Sequence, residues 1–383
     1  MKLDINKILF DKQTLRQESK RQRYWQYISL ALIFLITRFI VLYFSKLRNN
    51  IIDGSDGANY INIAKYIQIY WKLPLTPSDG ARQFPGLSIL ILIINQIFHN
   101  IILSSVIVSW GGSLLSILLF HLIFRDFRMS IIYSIFLPVF VVSSAVISSH
   151  GLALFFILIA VYAIKLPNQS FYRFILLLLS GYGIIVRYTA AFFIYPLIFF
   201  VYIKSKNRSM KNILYDIVAV STLFAAYLFW NYSTIRVLFP QAIIQERDFI
   251  LNAYANFPHS LYSYPGHSLI LGFFDPHFSF LKKISILAHI FLVIIVINNY
   301  IRKVKNKKDE NIYDFPFFLI LLITLGFNLC VGSQYGFSSF ERYLLIINPI
   351  IVYGLFDKKP LKWHWIFLLL VLGIVYGIIF LNK

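Results

Sequence analysis

Apolar runs long enough to cross a bilayer recur from Ile28 to the C-terminal end, and they restrict this chain to one kind of fold. A hydrocarbon core takes about 20 apolar residues in a helix, and lipid offers no partner to an unpaired backbone group. Candidate spans fall at 28–46, 101–124, 130–148, 151–166, 172–186, 189–203, 211–233, 284–300, 314–332, 341–356 and 364–381. The chain is 58% hydrophobic with a mean hydropathy of +0.70, above the ~45–50% apolar content of soluble domains. The expected fold is all-α: a polytopic membrane protein, residues 1–383 forming one transmembrane domain with no separate soluble unit.

Charge sets the expected orientation. The net charge is +20, gathered in Lys2 to Arg23, Lys204 to Lys211, Arg302 to Lys308 and Lys358 to Lys362. The positive-inside rule puts these segments, including the basic N-terminus 1–27, in the cytoplasm, beside anionic headgroups. Loops 47–84, 234–283 and 333–340 then face outward. Membrane lipids are expected partners. Nucleic acid is not, since no soluble basic fold carries the charge. The run after the N-terminal segment exceeds a signal-peptide core and is expected to be an uncleaved first span. The lone Cys330 sits in an apolar run as a small core hydrophobe.

Residues 86–98, between Pro85 and His99, resist this scheme. About 13 residues give only about 20 Å of helix. A full crossing there would turn every later basic loop outward. The segment is expected to be re-entrant, or half of an irregular pair, which leaves about eleven crossings within a range of about 11–13.

The first outer loop carries the candidate chemistry. Asp53 and Asp56 follow the first span, and such carboxylates serve as general bases, metal ligands or plain solvated groups. After Asp56, residues Tyr60, Ile63, Ala64, Ile67 and Trp71 share one helical face, with Asn59, Asn62, Lys65 and Gln68 around the other. That pattern predicts an amphipathic interfacial helix with its apolar side in the lipid boundary, holding Asp56 at headgroup depth. The turn Arg82-Gln83-Phe84-Pro85-Gly86 returns the chain toward the bilayer. Arg82 suits a phosphate, or is an arginine whose head simply reaches the interface.

Three further arginines stand out. Arg38 lies mid-span, where insertion costs about 2.5–3.5 kcal/mol, so it is expected to face the bundle interior. Arg187-Tyr188 splits the apolar stretch 172–203 at an outward turn, and Arg342 begins a span from the outer side. Glu341 is a local partner for Arg342, yet Arg82, Arg187 and Arg342 are expected on the face that carries Asp56. A phosphate headgroup needs several such donors. In 234–283, His259, His267 and His277 fit no metal motif, and that loop either lies on the membrane or covers a substrate.

Four ordered segments, over about residues 30–350, resemble the GT-C superfamily of integral-membrane glycosyltransferases, nearest its mannosyltransferase-like branch. Asp56-x-x-x-Tyr60-x-x-Ile63-Ala64 is similar to that family's first outer loop. Arg82-x-x-Pro85-Gly86-Leu87 is similar to its return turn. Val186-Arg187-Tyr188-Thr189-Ala190 with Tyr195-Pro196-Leu197, and Arg342-Tyr343-Leu344-Leu345 with Asn348-Pro349, are similar to later segments. Two departures stand: Ser148-Ser149-His150-Gly151 replaces a Ser-Glu pair, and Asp53 and Asp56 are three apart where the acidic pair is often adjacent. Metal dependence is therefore open: a divalent ion is admissible, and the residues single out no cofactor.

The resemblance implies a GT-C-like bundle and an inverting transfer of a mannose-like hexose or a pentose from a polyprenyl-phosphate donor to a lipid, glycan or protein acceptor. Asp56 would be catalytic and Asp53 supporting. Arg82, Arg187 and Arg342 would bind the donor phosphate, with His150, Tyr60 and Tyr343 as further candidates. Residue usage rich in Ile, Asn and Lys suggests a bacterial source, and so a cytoplasmic membrane with the site facing out. The alternatives are a polysaccharide polymerase or ligase of another fold, which would use Arg247 and the loop histidines, and a transporter, which predicts internal repeats. Oligomeric state is not legible.

Overall fold

The computed structural model describes residues 20–46, 57–74, 83–204, 209–238, 273–274, 280–305, 311–330, 344–357 and 361–382. The described secondary structure is helical. In chain order the helices are α1 (Lys20–Tyr43), α2 (Gly57–Tyr70), α3 (Gly86–Phe98), α4 (Ile101–Phe124), α5 (Phe127–Ile135), α6 (Pro138–Ala145) and α7 (His150–Ala163). Then come α8 (Phe171–Val186), α9 (Ala191–Lys204), α10 (Met210–Ile235), α11 (Phe280–Lys305), α12 (Asp314–Cys330), α13 (Asn348–Phe356) and α14 (Trp363–Leu381).

Among the described residues five helices are long and apolar enough to cross a membrane, in α1, α4, α10, α11 and α14, or six if α5 and α6 count as one bent span. These are the marks of a multi-pass membrane protein. The expected crossings at 151–166, 172–186, 189–203, 314–332 and 341–356 correspond to shorter apolar helices. A 14-residue helix such as α7 rises only about 21 Å against a core of about 30 Å, so length alone does not make these elements spans.

The expected span 130–148 is broken. Its two halves, α5 and α6, meet at 73°. Pro138 is the cause: it stands at the first turn of α6, where a missing N–H does no harm, but it can give nothing back to α5. Other helices serve the freed carbonyls. Arg38 Nη2 donates to Ser134 O at 2.5 Å, and Asn348 Nδ2 donates to Tyr133 O at 3.1 Å. Arg38 is fully buried, as its mid-span position requires. Its Nε donates to Ser144 Oγ at 2.9 Å and its Nη1 to Thr37 Oγ1 at 2.8 Å, and the guanidinium lies 4.7 Å from the Phe34 ring. Each of these partners is neutral.

The core runs through α7, which packs between α4 and α8. Close approach needs small residues: a Cβ on Gly151 would lie 1.8 Å from Ser113 Oγ. Further along, α8 packs on α10, where Arg173 and Asp216 form a buried ion pair. Arg173 also donates to Leu166 O at 3.0 Å and to the Tyr202 hydroxyl at 3.2 Å. That single contact set joins α8, α9, α10 and the end of α7.

Candidate functional site

Helix α2 forms where the alternation of polar and apolar residues predicts it, but its apolar side does not meet lipid. Tyr60, Ile63, Ala64 and Ile67 are buried in the protein, each at most 3% exposed. Ile63 and Ile67 pack with Leu73, Ile185 and Tyr227. An apolar stripe at this period is satisfied equally by lipid or by a neighbouring helix, and here α3 lies against it. Trp71, which closes the predicted stripe, is 73% exposed and has left the helix with φ 53°.

The return turn is where the Pro-Gly pair predicts it, opening α3 at Gly86. Gly86 sits against the end of α8. A Cβ there would lie 2.5 Å from the Val186 backbone nitrogen, so no larger residue fits without moving backbone. The Tyr182 hydroxyl donates to Gly86 O at 2.8 Å, and the Ser88 hydroxyl donates to Tyr60 O at 2.8 Å. Together these contacts bring α2, α3 and the C-terminus of α8 to one place.

Arg187 follows at that terminus. It is extended, with φ −158° and ψ 117°, and it ends α8 before the short 3₁₀ turn Tyr188–Ala190. The expected split of 172–203 is at this residue. The Tyr188 ring leans on Phe84, centroids 5.8 Å apart, tying the turn before α3 to the turn after α8.

Ser149 is the hub that joins them. It precedes α7, and its side chain makes no capping hydrogen bond to that helix. Instead the Tyr60 hydroxyl donates to Ser149 Oγ at 2.8 Å and lies 3.2 Å from Gln83 Oε1. Arg187 Nη1 donates to the same Ser149 Oγ at 3.3 Å. His150 is the next residue and is 3% exposed. The turn is fixed from α4: Ser109 Oγ donates to Ser148 O at 3.0 Å and accepts from Ser148 N at 3.0 Å, while Trp110 Nε1 donates to Ala145 O at 3.2 Å.

Thus Tyr60 and Arg187, chosen from the sequence on separate segments, meet at Ser149 with Gln83 alongside, and His150 is the buried residue that follows Ser149 in the chain. Neither Gln83 nor Ser149 is marked as a site residue by the sequence. Gln83 carried no signal beyond standing next to Arg82, and Ser149 was noticed only as part of a departure from a family pattern. Asp53, Asp56, Arg82, Arg342 and Tyr343 lie outside the described residues.

Chemically the cluster offers donors. A half-buried guanidinium, a phenol and a serine hydroxyl at a helix start suit an anionic oxygen better than a cation. Among the described residues no group of three His, Cys, Asp or Glu side chains is placed to hold a metal ion. No protein-family model, curated protein or solved structure matches the chain.

Proposed function

We propose that this protein is an inverting glycosyltransferase of the membrane, taking a mannose-like hexose or a pentose from a polyprenyl-phosphate donor. The observation that carries the reading is the meeting of Tyr60, the Gln83–Gly86 turn, Ser149 and Arg187. Three of the four segments that resemble GT-C enzymes supply that cluster, from positions far apart in the chain.

On this reading Asp56, one residue before α2 in the chain, takes the proton of the acceptor hydroxyl, with Asp53 supporting it. The acceptor oxygen forms a bond to the anomeric carbon as the bond from that carbon to the phosphate oxygen breaks. The lipid phosphate leaves with the electron pair. Arg187 meets its charge, with Arg342 and Arg82 assisting and Tyr343 near by. General-base catalysis contributes typically about 10²–10⁴-fold, and donors fixed in place before the reaction stabilise the leaving group. A single displacement needs one base and no nucleophilic carboxylate, which gives inversion. A GT-C-like bundle of about eleven crossings, with the α2 loop on the outer face of a bacterial cytoplasmic membrane, completes the proposal.

The test is sugar transfer from a polyprenyl-phosphate donor by Asp56→Asn and Arg187→Gln. Loss of at least about 100-fold in both, with folded protein, is expected. Near-normal transfer by a folded Asp56→Asn removes Asp56 from the base role. Orientation is checked by labelling Asp56→Cys in a Cys330→Ala background, where labelling from the cytoplasm sinks the outward-facing site.

A further inference from the structure

A crevice of about 480 Å³ adjoins the cluster, between α2, α3 and α10. The first two are the helices that carry Tyr60 and the Gly86 turn. The floor of the crevice is apolar, with Ile67 buried and Leu92 half-buried. Its rim is different. Gln68 and Trp71 stand at the end of α2, Gln96 on α3 and Trp230 on α10, and the first three are exposed. No charged side chain is among the described residues that line it. Two indoles and two carboxamides therefore set its chemistry.

The crevice lies where three helices end. Trp71 follows the last residue of α2, Gln96 is in the last turn of α3, and Trp230 is in the last two turns of α10. From Ser88, whose hydroxyl holds Tyr60 O, to Gln96 is about 12 Å of helix. In the proposed orientation these ends face outward, so the crevice extends from beside the cluster toward the outer interface.

A prenyl or acyl chain fits the floor but offers nothing to the carboxamides. Trp230 adds an indole N–H that is buried with no acceptor among the described residues, and hydrocarbon would leave it unpaired. A hexopyranose answers both halves of the lining. One ring face is a patch of C–H groups that lies on an indole, and its hydroxyls both donate to and accept from carboxamides. The volume, within the ~300–1,000 Å³ of small-molecule sites, has room for more than one ring.

We infer that this crevice binds a neutral oligosaccharide, with pyranose faces on Trp71 and Trp230 and hydroxyls on Gln68 and Gln96. Its role as the acceptor's site rests on the glycosyltransferase reading, and it narrows the acceptor to a glycan whose end reaches the Tyr60–Ser149–Arg187 cluster.

The experiment is saturation-transfer NMR on the full chain in lipid nanodiscs, without donor, titrated with mannose, with neutral trisaccharides of mannose, glucose and galactose, and with farnesyl phosphate. At least one trisaccharide should bind about tenfold more tightly than mannose, and Trp71→Ala should remove about that factor. Trp71→Leu serves the same purpose should Trp71→Ala fail to fold. Gln68→Ala with Gln96→Ala should weaken the same trisaccharide. Trisaccharides bound no better than mannose overturn the inference, as does unchanged binding by the folded Trp71 variant. Farnesyl phosphate displacing the trisaccharide at equal concentration also overturns it, and would assign the crevice to a prenyl chain. Sugar transfer is measured on the same proteins. Transfer that survives without trisaccharide binding sinks the crevice and spares the enzyme, whereas binding without any transfer keeps an oligosaccharide site and sinks the glycosyltransferase reading.

Discussion

Arg38 Nη2 donates to the carbonyl of Ser134, the group that residue 138 would serve in a continuous helix and that Pro138, lacking an N–H, leaves open. A buried arginine and a proline on different helices thus answer each other. An isolated arginine in a span is costly, and three neutral acceptors with two aromatic faces are what hold this one.

The first prediction is a coupling between those two positions. Arg38→Ala leaves a buried carbonyl without its donor, and should cost about 1–3 kcal/mol from that alone, more with the lost volume. In a Pro138→Ala background the backbone can supply the missing N–H, so Arg38→Ala should cost about 1 kcal/mol less. Thermal midpoints in detergent for the four proteins of the cycle give the answer. Additive costs would show that Arg38 does not act through the break.

The Ser149 hub predicts non-additivity of a different kind. Tyr60→Phe removes one hydroxyl and should cost about 1 kcal/mol of stability. Ser149→Ala removes the acceptor for both Tyr60 and Arg187. The double variant should therefore lose less, in stability and in sugar transfer, than the sum of the two single effects, since Ser149→Ala already takes away the Tyr60–Ser149 bond and leaves Tyr60 the Gln83 Oε1 contact. Full addition of the two single effects in both measurements would mean that Tyr60 and Ser149 act independently.

The Arg173–Asp216 pair predicts rescue. Both side chains are at most 2% exposed, so Asp216→Ala strands a buried cation and should cost about 3–5 kcal/mol. Replacing both with apolar residues, Arg173→Met with Asp216→Leu, should recover most of that loss. Unfolding midpoints distinguish the outcomes, and a double variant no better than Asp216→Ala would show that the hydrogen bonds to Leu166 and Tyr202 matter more than the charge.

Asp126 carries the pH prediction. Its carboxylate caps α5, accepting from Met129 N at 2.9 Å, and burial raises its pKa above the ordinary aspartate value. The folded state therefore holds this proton more tightly than the unfolded chain. Its contribution is fully present below the unfolded pKa and is lost as pH rises through the folded one. Asn caps as well as Asp and does not ionise. Asp126→Asn should match the natural chain in acid and exceed it slightly at neutral pH, read as the difference in thermal midpoint between pH 4 and pH 7.

What could be read ahead of the structure depended on how local the cause was. The helices 57–70 and 86–98 follow from Pro, Gly and the 3.6-residue period, and the split at Arg187 from a charge inside an apolar stretch, all visible within one turn. The break inside 130–148 is hidden in the sequence because Pro138 at a first helical turn looks like an ordinary start, and its effect falls on Ser134, a residue behind it. Which surface covers the apolar face of α2 is a tertiary matter that periodicity cannot decide. Asp216 was legible in principle: an acid inside the apolar run 211–233 demands a buried partner, but nothing in the sequence names Arg173 as that partner. Ser149 gave no signal, since a serine ahead of a helix usually caps it, and here it turns to Tyr60 and Arg187.

The bond between Tyr60 and Gln83 has a consequence for the chain that lies between them. Leu73 and Pro74 are buried at one end and Gln83 is fastened at the other, so both ends of the connection between α2 and α3 are held on the same platform. The entropy of closing such a segment grows only with the logarithm of its length, about 0.6 kcal/mol for each doubling. An insertion between Pro74 and Arg82 is accordingly expected to cost little stability, while the Tyr60–Ser149–Arg187 platform stays as it is.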